Sequence, residues 1–91
     1  MSRSVGVFLE VVKNLARIEE MRATAVREAF SLLEQHDPGL TDVLLVQLGD
    51  RRRAASWMCA SLRALDGRSA YQAQAEGDVD AIWDLLPGAE T

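Results

Sequence analysis

Chemistry-bearing side chains are scarce in this 91-residue sequence, which holds one cysteine, Cys59, and one histidine, His36. A lone cysteine closes no internal disulfide, so a reducing compartment, the cytoplasm, is the expected setting. His36 stands just before Asp37-Pro38, where a helix is expected to end and an imidazole complements the last carbonyls. Cys59 has neither a second cysteine nor a histidine near it in sequence and reads as a small apolar packing residue. Zinc-ligand spacing, an EF-hand loop and a glycine-rich phosphate loop are all missing. No apolar run reaches the roughly 18 residues needed to span a bilayer, because Glu10, Lys13 and Arg17 interrupt the richest stretch. The N-terminus lacks the apolar core and cleavage site of a secretion signal. With a net charge of −4, the chain as a whole offers no basic surface to a nucleic-acid backbone or an anionic membrane. These absences argue against an enzyme, a metal or cofactor site and a membrane protein, and no catalytic residue is nominated.

What remains is the composition of a folded domain: 48 % of residues are hydrophobic and 26 % charged, with the two signs interspersed. A chain of this length supports one core and no second independent one.

From about Ser4 to His36 there is no proline and no glycine beyond Gly6. Phe8, Val11, Leu15, Ile18, Ala25, Ala29 and Leu32 recur at alternating steps of three and four, the period of one helix face, with Arg22 falling on the stripe. Asp37-Pro38-Gly39 is turn chemistry. Thr41 is then placed to cap a helix from Asp42 to Leu48, and Gly49 to end it. Asp50 is placed to cap a helix from Arg51 to about Leu65, with Ala54, Trp57, Met58, Ser61, Leu62 and Leu65 on its buried side. Asp66-Gly67 reads as a turn, Ser69 as the cap of a helix through Glu76, and Gly77 as its stop. Asp78 is placed to cap a last helix carrying Val79, Ile82, Trp83 and Leu86, closed by Pro87-Gly88. Nothing alternates as a half-buried strand does. The expected fold is all-α: a small bundle with a long first helix and four shorter ones.

The Asp37-Pro38 break divides the chain into residues 1–37, a long helix, and 38–91, a helical domain. An unbroken first helix is a rod of about 50 Å, longer than a globule built from the rest can cover. Its surplus apolar stripe, with Phe8, Val11, Leu15 and Ile18, is then expected to pack on a second copy, giving a homodimer. The alternative is a hinge near Thr24 that folds the helix back on its own core.

Arg51, Arg52 and Arg53 form the one dense basic patch, at a helix start where the dipole disfavours them. Together with the short helix and glycine turn before them they have the rhythm of a helix-turn-helix, which raises a DNA-binding alternative. The helix then runs Ala-Ala-Ser-Trp-Met-Cys, which offers little with which to read base edges.

Three segments carry a resemblance. Ala54-Ala55-Ser56-Trp57-Met58, then Leu65-Asp66-Gly67-Arg68-Ser69, then Glu76-Gly77-Asp78-Val79 leading into Ile82-Trp83-Asp84-Leu85-Leu86 follow one another in order. The stretch from Arg53 to Leu86 resembles the toxin-binding domain of the Xre/MbcA/ParS antitoxin family of bacterial toxin–antitoxin systems. It departs in having Ala70 where members commonly have proline, and in lacking their separate N-terminal DNA-binding part. The resemblance implies a RES-type, NAD-consuming toxin as partner, inhibited when the antitoxin's last helix and C-terminal end block its active-site cleft. Carried onto this sequence, that role falls on Arg68, Trp83 and the end of the chain, Pro87, Glu90 and Thr91. A carboxylate at Glu90 suits a pocket lined with cations for a phosphate-bearing cofactor. Tyr71 is the aromatic expected at an interface rim. The structural alternatives stay open beside these roles: Trp57 and Trp83 lie on apolar stripes, and Arg68 is placed to bond a helix end across its turn.

Overall fold

The computed structural model describes residues 2–86 and the side chains of residues 5–86, and every regular element in that range is helical. Helix α1 spans Ser2–His36 as one unbroken rod of 35 residues, so the hinge near Thr24 does not form. At about 1.5 Å per residue it is about 52 Å long, and it sets the long axis of a molecule measuring 64 × 25 × 21 Å. Helices α2 (Pro38–Leu48), α3 (Arg51–Cys59), α4 (Ala70–Ala75) and α5 (Val79–Asp84) gather at its C-terminal end, with a single 3₁₀ turn at Arg63–Leu65 between α3 and α4.

The core lies where α2 and α3 pack on the last turns of α1. Phe30, Leu40, Leu44, Met58 and Ile82 have no solvent exposure, and Leu33 has 5 %. At roughly 1.5–3 kcal/mol for each large apolar side chain removed from water, this cluster supplies the main favourable term of folding. The face of α1 that enters it is Val26, Phe30 and Leu33, one position on from the expected Ala25, Ala29 and Leu32; Leu32 is 56 % exposed. The reason is drift. A strict seven-residue repeat slips about 20° per heptad around a straight 3.6-residue helix, so the stripe that begins at Phe8 has rotated off the core by Leu32.

Three boundaries differ from those read in sequence. Helix α2 is capped by Asp37, whose Oδ1 accepts from the Leu40 amide at 3.2 Å. Pro38 occupies the first turn, where its fixed φ suits a helix and its missing N–H has no bond to make. Thr41 is therefore not the cap: it is buried inside α2 and donates its hydroxyl to Pro38 O at 3.0 Å. Helix α3 stops at Cys59 rather than near Leu65, because Ala60 is extended at φ −74°, ψ 145°. The chain that follows closes on itself, with the Leu62 amide donating to Arg68 O and the Gly67 amide to Leu62 O, at 3.0 and 2.9 Å. That loop drives Leu65 into the core from outside the helix. Asp66 and Gly67 complete it with φ of 58° and 84°, the left-handed region that aspartate tolerates and glycine adopts freely. Third, α5 has no side-chain cap, since the Asp78 carboxylate is engaged elsewhere. The caps at Asp50 and Ser69 form as their spacing implies, accepting from the Arg53 and Gln72 amides at 2.8 and 3.1 Å.

Candidate interaction surfaces

Four places on the molecule bring candidate residues together. The first is the free stretch of α1. From Val5 to Met21 its large apolar side chains stand in solvent, from 43 % exposed at Val11 to 68 % at Val5, with Phe8 at 65 %. Phe8, Val11, Leu15 and Ile18, the residues nominated for self-association, all lie there. Scattered exposed hydrophobics are ordinary, but a contiguous helical face of them is the mark of an interaction surface.

The second is the base of this arm, where α1 parts from α3. Ala23, Val26 and Ala55 floor a groove of about 630 Å³ rimmed by Glu19, Arg22, Arg27 and Arg52. Sequence periodicity did not reveal it, because it arises only where two helices diverge. The arginine triplet disperses around it. Arg51 turns back onto α1, donating to Glu34 Oε2 at 2.6 Å and to Ser31 Oγ at 3.0 Å, with its guanidinium carbon 4.9 Å from the Phe30 ring centre. The hydrogen bond from Arg51 holds the Glu34 carboxyl below its ordinary range. Arg53 extends into solvent near Asp50, at 3.7 Å. Only Arg52 of the three faces the groove without a side-chain partner among the described residues.

The third is the turn between the 3₁₀ segment and α5, where Arg68 draws three strands of chain together. Its Nε donates to Leu65 O at 3.0 Å, Nη1 to Glu76 Oε1 at 2.8 Å and Nη2 to Asp78 Oδ2 at 3.0 Å. The side chain is 24 % exposed. A planar fork of donors meeting two carboxylates makes strong, directional contacts, which is why Asp78 serves this arginine instead of capping α5. Trp83, on α5, is half-buried against the core, as is Trp57 on α3.

The fourth is a smaller cavity of about 270 Å³ between α1 and α4, lined by Leu32, Leu33, His36, Tyr71, Gln74 and Ala75. Tyr71 is half-buried, and its hydroxyl and the Gln74 Oε1 are shielded from solvent without a hydrogen-bond partner. Burial pushes the Tyr71 phenol up to about 12, the neighbouring Cys59 adding to the effect and Arg51 opposing it. Cys59 is half-buried and His36 exposed. Among the described residues no group of three histidine, cysteine or acidic side chains is placed to hold a metal ion, and no helix is long and apolar enough to cross a membrane. Pro87, Glu90 and Thr91 lie outside the described residues.

No protein-family model, curated protein or solved structure matches this chain.

Proposed function

We propose that this chain is a non-enzymatic, antitoxin-like module that works in the cytoplasm as a homodimer, binding a RES-type, NAD-consuming toxin and occluding its active site. The observation that supports this reading is the convergence on Arg68. Leu65-Asp66-Gly67-Arg68-Ser69 and Glu76-Gly77-Asp78, two of the three segments that carry the resemblance, are bonded to one another through its guanidinium. Their order and spacing are those that let one guanidinium reach three acceptors and tie the turn before α4 to the turn before α5. In this reading Arg68 positions the inhibitory end, and Trp83, Glu90 and Thr91 make the contacts. Exposed apolar surface on α1 supplies the self-association. The DNA-binding alternative draws less support, since Arg51 is committed to Glu34 and Ser31.

The test is a titration of a purified RES-type toxin with the full chain and with a version ending at Leu86, following loss of NAD. Inhibition by the full chain that is lost or much weakened on truncation is the expected result. A toxin that binds neither form and turns over at its free rate would sink the proposal. Salt-sensitive capture of duplex DNA by the same preparation would put the regulator reading in its place.

A further inference from the structure

We propose that the exposed face of α1 is covered by the α1 of a second copy running antiparallel, with Val5 facing Leu15 and Phe8 facing Val12 across a twofold axis. This deepens the self-association in the proposed function and is independent of its toxin.

Area is the first argument for a partner. The seven exposed apolar side chains on this face, Val5, Phe8, Leu9, Val11, Val12, Leu15 and Ile18, offer roughly 100 Å² apiece, a patch on the order of 700 Å². That exceeds the few hundred Å² that ordinary monomers expose and approaches the roughly 800 Å² each partner buries in a stable complex. The apolar arc is also broad. Val5, Phe8, Val12 and Leu15 form its centre, and Leu9 on one side with Val11 and Ile18 on the other widen it beyond a single narrow seam.

Direction follows from which face of α1 the rest of the fold occupies. Val26 comes 18 residues after Phe8, about five whole helical turns. It points the same way, as do Phe30 after Val12 and Leu33 after Leu15. Helices α2 and α3 pack on Val26, Phe30 and Leu33, so they sit in the path of any helix that follows the exposed face toward the C-terminus. A parallel partner, laid in register at the usual 8–10 Å spacing, runs into α3. An antiparallel partner runs the other way and carries its own α2–α5 past the far end of the arm. The pairing is isologous and closes as a dimer, with no open surface to propagate.

Register follows from where the stripe stops. Glu19 and Arg22 interrupt the exposed face between Leu15 and Val26. Sliding the partner one heptad further sets Phe8 against Glu19. Holding it back gives apolar layers only, Val5 on Leu15 and Phe8 on Val12, each made twice by symmetry. It also brings Glu19 to the first turn of the partner helix, whose free amides and dipole favour a carboxylate.

The experiment uses the full chain with Cys59→Ser. Val5→Cys and Leu15→Cys versions are made separately, then treated with a short bis-maleimide alone and after mixing. Antiparallel pairing predicts cross-linking in the mixture and little in Val5→Cys alone; efficient linking of Val5→Cys to itself would mean parallel helices and overturn the proposal. Sedimentation of the unmodified chain should give twice 10.0 kDa, and a monomer at micromolar concentration overturns it too. Phe8→Glu should weaken the dimer by about 30-fold or more while the near-ultraviolet signal of Trp57 and Trp83 persists. Toxin titration reads the other proposal alone, so the failure of either leaves the other measurable.

Discussion

Arg51 and Glu34 meet at 2.6 Å across the junction of α3 and α1, and this contact explains why an arginine stands in the first turn of a helix. On α3 alone its charge opposes the dipole. Across to α1 it finds a carboxylate, the Ser31 hydroxyl and the face of Phe30, so that one side chain ties the start of α3 to the buried end of the rod. The cation over Phe30 adds to the pairing.

The pH dependence of that tie has a definite sign. Hydrogen bonding to Arg51 depresses the folded-state pKa of Glu34 from its ordinary 4.5. The stabilisation it brings is therefore fully present above that ordinary value and disappears as pH falls through the lower folded-state value. Arg51→Met should lower Tm at neutral pH, and the gap from the unmodified chain should narrow in acid. Thermal melts of both chains at pH 7 and pH 3 check this; an equal gap at the two pH values would mean that packing on Phe30, not the ion pair, carries the contribution.

Two phenylalanines on one helix should behave oppositely. Phe30 is fully buried and Phe8 is 65 % exposed. Phe30→Ala removes a core side chain and is expected to cost about 3–5 kcal/mol, a large part of the stability of so small a domain. Phe8→Ala should leave the globule's stability within about 0.5 kcal/mol and act on association instead. Urea unfolding followed by Trp57 and Trp83 fluorescence, in dilute solution where dimers dissociate, separates the two.

Much of this arrangement was readable from residues. Asp50, Ser69, Gly49 and Gly77 mark their boundaries because capping and left-handed φ are local demands, met by side chains within three positions. Where the structure departs from the local signals, a longer-range partner decides. Asp78 looks like a cap, yet Arg68, ten residues back, offers it a charge-assisted bond that a neutral amide cannot match. The run from Ala60 to Leu65 looks helical, yet the Leu62–Arg68 closure and the burial of Leu65 outweigh its propensity. The rod could be read from the absence of breakers. Which of its faces meets α3 was hidden by drift, because a stripe read at steps of three and four slips around a 3.6-residue helix and by Leu32 has left the face that Val26, Phe30 and Leu33 bury. The groove at Ala23 and Ala55 has no sequence signal at all, since it is the gap between two helices.

Tyr71 is the only tyrosine, so a spectrophotometric titration reads it alone. Its midpoint should fall near 12, well above the roughly 10 of a free phenol. Its hydroxyl is also shielded without a partner, and such a group costs more to bury than to delete. Tyr71→Phe is therefore expected to be neutral or stabilising by about 1 kcal/mol, measured by urea unfolding. A loss of stability would reveal a hydrogen bond through water in the adjoining cavity.

Arg68 gives the sharpest contrast between charge and shape. Lysine keeps the charge but offers a single ammonium, which cannot span Leu65 O, Glu76 and Asp78 together. Arg68→Lys and Arg68→Ala should therefore fail alike: both should lower Tm and speed hydrogen exchange at the Gly77 and Asp78 amides, which donate to Gln74 O and Ala73 O at 3.1 and 2.8 Å, while exchange in α1 near Phe30 stays slow. If lysine restores slow exchange at those two amides, then net charge holds the corner together and its fork geometry does not matter. In that case any cation at this position would hold the corner, and the support that the three directed bonds of Arg68 lend to the inhibitory reading is withdrawn.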